Sequence, residues 1–99
     1  MSYEVWIEPD ALTEARSTPG NARQRIKRAM QGLAQNPRPS GSRPLDWPAA
    51  NFEPRRLKLD NWRIIYAVND TGQWVWVLAI RKRPPYDYGD LAGLLRRVE

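Results

Sequence analysis

Residues Glu53–Arg83 read E-P-R-R-L-K-L-D-N-W-R-I-I-Y-A-V-N-D-T-G-Q-W-V-W-V-L-A-I-R-K-R. Three extended runs stand out within it: Pro54–Leu59, Trp62–Val68 and Trp74–Ile80. Aromatic and β-branched residues crowd the second and third runs, as strands prefer. Asp60-Asn61 and Asn69–Gln73 are polar connections of the kind that reverse a chain. The stretch therefore predicts a meander of antiparallel strands.

Strand side chains alternate between faces. Leu57 and Leu59 share one face of the first run, while Arg56 and Lys58 share the other. In the second run Ile64, Tyr66 and Val68 form one set, and Arg63 belongs with Ile65 and Ala67. Arg83 follows the third run, where its side chain can swing back over the sheet. If the strands pair in order, one face is apolar and packed, and the other gathers Arg56, Lys58, Arg63 and Arg83. An antiparallel sheet tolerates one open face. An open face carrying four cations suits phosphate.

Working outward, Tyr3–Ile7 alternates as a short first strand, and Glu8-Pro9 opens a helix, because proline is accepted at the first helical position. Ala11, Leu12 and Ala15 supply its apolar side. Thr18-Pro19 repeats the start signal. The second helix is expected from about Pro19 to Gln35, with Ala22, Ile26, Ala29 and Leu33 as its apolar stripe. Arg23, Arg25, Lys27 and Arg28 lie off that stripe. They form either a solvated face or an additional RNA or partner contact.

Between Asn36 and Pro54 prolines recur at 37, 39, 44, 48 and 54. That density predicts a loop without regular structure. Trp47 and Phe52 are read as anchoring this loop to the body, with base stacking by Trp47 as the alternative. After the meander, Pro84-Pro85 ends the third strand, and a short final helix carries Leu91, Leu94 and Leu95. Such a helix must dock, on its own sheet or on another chain. The expected fold is mixed α+β in the order β-α-α-β-β-β-α, a small, mainly antiparallel sheet packed against two N-terminal helices.

The 99 residues suffice for a single domain spanning 1–99 with a modest core. Net charge is +5, and thirteen arginines accompany three lysines. From Arg16 to Lys58 there are ten basic residues against Asp46 and Glu53. Arginine's planar fork matches phosphate better than a lysine point charge, so a polyanionic or acidic partner is expected. The chain has no cysteine and no histidine, which excludes disulfides, a Cys nucleophile, a His-based triad and the common zinc sites. Neither a signal-peptide layout nor an apolar run of membrane length is present. The cytoplasm is the expected compartment, with no membrane partner.

Three segments now carry a family likeness. They are R-Q-R-I-K-R-A-M-Q-G-L-A-Q-N-P-R-P (Arg23–Pro39), R-R-L-K-L-D-N-W-R-I-I-Y-A-V (Arg55–Val68) and W-V-L-A-I-R-K-R-P-P-Y-D-Y (Trp76–Tyr88). In this order and spacing the chain resembles the RelE/ParE superfamily of bacterial toxins from type II toxin–antitoxin pairs. The RelE branch implies a ribosome-dependent endoribonuclease that cuts messenger RNA in the A site, without metal or cofactor. ParE members keep the fold and inhibit DNA gyrase. A third reading is a non-catalytic nucleic-acid binder.

The RelE resemblance maps the catalytic positions onto Arg56, Lys58, Arg63 and Arg83, with Tyr86 or Tyr88 near the C-terminus. Arg63 and Arg83 would hold the phosphate oxygens, while Lys58 or a tyrosine would draw the 2′ proton. Arg55, Arg81 and Lys82, together with Arg25 and Arg28, are the expected RNA contacts. The chain departs from many relatives in having Arg81-Lys82 where they carry Gly-His, and Arg56 where the best-known RelE enzymes carry lysine. The implied partners are a cognate antitoxin, the ribosome with its mRNA, and operator DNA only in the toxin–antitoxin complex. Clustered cations destabilise a fold unless neutralised, so the antitoxin is expected to lay an acidic segment on this face. Part of it would be held as a helix or strand in an adjoining apolar groove.

Overall fold

The computed structural model describes residues 2–48 and 51–99. The elements run β1 (Glu4–Ile7), α1 (Pro9–Arg16), α2 (Gly20–Gly32), β2 (Ser42–Pro44), β3 (Glu53–Leu59), β4 (Trp62–Asn69), β5 (Trp74–Lys82) and α3 (Leu91–Arg96). They build a five-stranded sheet in the order β1-β5-β4-β3-β2. β1 joins β5 in parallel, and every other pairing is antiparallel. The expected meander is β3-β4-β5. The first helix starts at Pro9 as expected, and the second starts one residue later than expected, at Gly20 with Pro19 in the N-cap position.

The proline-rich stretch departs from expectation, because it contains β2. Lys58 N–H donates to the Gly41 carbonyl, and Leu45 N–H donates to the Pro54 carbonyl. In an antiparallel ladder bonded pairs alternate, so residue 44 occupies a non-bonded position whose nitrogen points away from β3. β2 is also the outermost strand. A proline there removes no ladder bond. Ala49 and Ala50, within the same stretch, lie outside the described residues. The second helix is also shorter than expected, since α2 ends at Gly32.

Two cores result. On one sheet face, Leu57, Ile64, Tyr66, Val68, Val75, Val77 and Ile80 pack against Ala11, Ala15, Ile26, Met30 and Leu33 of the helical side. Burying one such aliphatic chain fully contributes roughly 1.5–3 kcal/mol. On the opposite face Ile65, Leu78 and Ala79 meet Leu94 and Leu95 of α3, with Leu45, Trp47 and Phe52 packed alongside. The second face is thus open only in part, because α3 docks on its own sheet and Leu45, Trp47 and Phe52 pack beside it.

The register shifts between Ile65 and Tyr66, which face Ala79 and Val77. Leu78 is therefore an extra residue in β5, a bulge that reverses the strand's alternation beyond it. Before it Val75 and Val77 face the helices; after it Ile80 does. Arg81 is consequently turned onto the face that carries Arg63.

Beyond Val77, β5 has no strand on its outer side, and α1 covers that edge instead. Glu14 Oε1 accepts the Ile80 N–H at 3.0 Å. A buried ladder donor that would otherwise lack a partner is satisfied in this way.

Candidate functional site: a cationic sheet face

Lys58 lies directly opposite Arg63, and Arg63 lies opposite Arg81. One cross-strand row thus holds three cations. Two residues along, Arg56 faces Ile65 on one side and Arg43 of β2 on the other. Facing residues of adjacent strands have Cβ atoms roughly 4.5–5.5 Å apart, and like charges so placed repel. Arg83 lies one step past this row, beyond the end of β5, where its N–H donates to the Asn61 carbonyl at 2.7 Å in the β3–β4 turn.

Carboxylates leave most of these cations alone. Among the described residues, no ion pair involves Arg43, Arg56, Lys58, Arg63 or Arg83. Backbone oxygens orient two of them instead. Arg56 donates to the Gly41 carbonyl at 2.9 Å, and Arg63 donates to the carbonyls of Asp60 and Trp62 at 2.9 and 3.1 Å. A neutral oxygen aims a guanidinium without cancelling its charge. The remaining N–H groups stay available to an anion.

Arg81 behaves differently. It pairs with Glu14 of α1 and, at 2.9 Å, with Asp90 ahead of α3. Burial works against its charge, but the Asp90 hydrogen bond and both carboxylates outweigh that and raise its pKa. It is a half-buried clasp between sheet and helices. Asp90 in turn is held below the usual carboxylate range, the bonds from Tyr86 and Arg81 overcoming its desolvation.

The two tyrosines separate clearly. Tyr86 donates its hydroxyl to Asp90 at 2.6 Å. Burial, then that bond, raises its pKa well above the usual phenol range. Tyr86 is thereby kept protonated. Tyr88 lies 4.7 Å from Tyr86 between ring centroids, and the Arg83 guanidinium sits over its ring at 5.3 Å. Tyr88 adopts φ 64°, a conformation that costs a bulky residue on the order of 1–2 kcal/mol, and one found where surroundings hold a side chain in place.

The other expected RNA contacts lie elsewhere. Arg55 falls on the helix side of β3, 8% exposed, bound to Glu53 and Ser42 at 3.0 and 2.9 Å. It is a structural guanidinium facing away from the row of cations. Arg25 pairs with Asp60 and, with Lys82, lines a cleft on the helix side beside the β3–β4 turn. Arg28 is exposed on α2. Arg43 was absent from the expected set, because a residue inside a proline-rich loop has no face until β2 is known.

The helix side carries an apolar groove of about 360 Å³. Ile7, Leu12, Ala15 and Met30 line its base, and Arg16, Arg23 and Lys27 line its rim.

The family model described as the ParE toxin of the type II toxin-antitoxin system, parDE, matches residues 10–84. Solved structures share the fold. An archaeal RelE in complex with RelB, from Pyrococcus horikoshii OT3, superposes with a TM-score of 0.76 at 22% identity, covering 87% of this chain and all of that one. The RelBE2 toxin–antitoxin complex of Mycobacterium tuberculosis gives 0.68 at 19%, covering 84% of this chain and 100% of the other. The isolated E. coli RelE toxin gives 0.66 at 20%, covering 99% and 100%. No curated protein sequence matches the chain.

Proposed function

The chain belongs to the family of ParE toxins of type II toxin–antitoxin systems, and from the cations on its sheet face we propose that this member cleaves messenger RNA in the ribosomal A site. The observation that carries this reading is Lys58 opposite Arg63, with no carboxylate paired to either among the described residues. Opposed free cations are costly to a fold and useful to an enzyme that must stabilise extra phosphate charge.

The chemistry needs no metal. The 2′-oxygen of the RNA attacks the adjacent phosphorus, forming the O2′–P bond as the P–O5′ bond breaks. The products are a cyclic phosphate and a 5′-hydroxyl. Arg63 and Arg83 bind the non-bridging oxygens, and Arg56 adds charge beside them. The 2′ proton passes to Lys58 as the neutral amine or to Tyr88 as the phenolate, and the departing 5′-oxygen takes its proton from solvent water. Tyr86, tied to Asp90, positions Arg81 and Tyr88 and does not itself serve as the base.

A cognate antitoxin is the protein partner. Its apolar helix face fits the groove over Ile7, Leu12, Ala15 and Met30, and its acidic residues meet Arg16, Arg23 and Lys27. This groove lies on the helix side of the sheet, so a continuing acidic segment must cross an edge to reach the cations. Operator DNA is then a partner of the complex only, and the toxin acts in the cytoplasm.

The family match favours a second reading, inhibition of DNA gyrase without cleavage. Brief induction of the wild type and of a Lys58→Ala, Arg83→Ala double variant, followed by primer-extension mapping of transcripts, separates the two. Codon-spaced cuts that vanish in the variant support the nuclease. Toxicity that persists in the variant, with gyrase-linked DNA breaks and intact transcripts, supports the gyrase reading.

A further inference from the structure

Outside the Lys58–Arg63 row, the largest unexplained charge on the sheet is Arg43. It sits opposite Arg56, exposed and without an ion pair among the described residues. We infer that Arg43 and Arg56 form a second phosphate subsite, so that this face grips at least two successive phosphates of a single-stranded nucleic acid. The inference rests on the nucleic-acid reading above and extends it to a residue and a ligand length.

Spacing is the first support. Arg56 and Lys58 are two residues apart on β3, so they share a face with their Cα atoms about 6.7 Å apart. That is close to the separation of neighbouring phosphates along one polynucleotide strand. A phosphate held at Lys58 and Arg63 thus places its neighbour at Arg56 and Arg43.

The second support is how the pair is built. Gly41 stands at φ 90°, a conformation that disfavours any side chain. Its carbonyl receives both the Lys58 N–H and the Arg56 guanidinium. One peptide oxygen, just ahead of β2, therefore fixes that strand beside β3 and aims Arg56, while Arg43 follows two residues later within β2. The two arginines stand opposite one another with no ion pair to either among the described residues, which costs stability unless an external anion arrives.

The third support is the boundary. Beyond Arg56 the same row continues into Ile65 and Ala79, covered by α3, Trp47 and Phe52. The cations form a strip that turns along β3 around this wall. Such a strip follows one backbone, and Tyr88 at its other end offers a ring for a base.

The test uses the full chain with 2′-deoxy oligonucleotides, which cannot be cut. A dinucleotide with one phosphate and a pentanucleotide with four are titrated against wild type, Arg43→Ala, Arg43→Lys and Lys58→Ala over a salt series. Arg43→Ala should weaken the pentanucleotide about tenfold and reduce its salt slope by about 0.7, one phosphate contact on a single strand. Dinucleotide binding should be unchanged, and Arg43→Lys should recover most of the loss. Equal weakening of both oligonucleotides by Arg43→Ala overturns the subsite, as does weakening of neither. If Lys58→Ala lowers binding while Arg43→Ala does not, the subsite falls and the nucleic-acid reading stands. If neither variant alters binding, both fall. Tighter, Arg43-dependent binding of a hexaglutamate peptide would assign the pair to an acidic protein segment and overturn the subsite.

Discussion

Lys58 and Arg63 face one another across β3 and β4, and among the described residues neither has a carboxylate partner. A protein selected only for stability would place an acid at one of these positions. Replacing Lys58 by Ala should therefore raise stability slightly, by about 0.2–1 kcal/mol, while abolishing toxicity. Thermal unfolding beside growth after induction checks both halves. A variant that is inactive and less stable would point to a folding role for Lys58.

Tyr86 gives a pH prediction. Its pKa is raised in the folded chain, by burial first and by Asp90 second. Stability from this group is fully present below the unfolded phenol pKa near 10 and is lost as pH rises from there through the folded value. Denaturant unfolding across the alkaline range should show that decline in the wild type, and Tyr86→Phe should flatten it.

Tyr66 makes a test of the fold away from the cations. Its hydroxyl, wholly buried, donates to the Pro37 carbonyl at 2.8 Å and fastens the loop before β2 to the sheet. Tyr66→Phe should cost about 1–2 kcal/mol by leaving that carbonyl unpaired. Toxicity should persist, since no cation of the row moves.

Glu14 links an edge to the site. Removing its carboxylate in Glu14→Ala frees the Ile80 N–H and one partner of Arg81. A loss of about 1–3 kcal/mol is expected, with amide exchange rising first at Ile80 and Arg81 rather than in β3. Uniform exchange across the sheet would contradict a local role for this contact.

The meander and the faces of Arg56, Lys58 and Arg63 were legible because polar and apolar residues alternate cleanly through β3 and the start of β4. The last strand offered no such signal. Trp74–Ile80 is apolar throughout, so nothing in its pattern marks Leu78 as supernumerary. β2 was hidden by Pro44, whose harmlessness depends on which way its nitrogen points, a fact of pairing and not of composition. Arg55 looked like its neighbour Arg56, yet parity sends it among Glu53, Ser42 and the helix side. Arg81 looked free because its acids, Glu14 and Asp90, come from α1 and the approach to α3.

The bulge at Leu78 makes chain length in β5 as consequential as residue identity. Exchanging Leu78 for another apolar side chain leaves the phase of the strand intact. Losing Leu78 itself would only remove the bulge and leave Arg81 opposite Arg63. Losing a residue between the bulge and Arg81 would instead shift everything downstream by one position, sending Arg81 toward the helices and bringing Lys82 round to Arg63. Functional divergence among chains with this fold could thus arise through a single-codon deletion that keeps every charged residue and rearranges which of them meet the ligand.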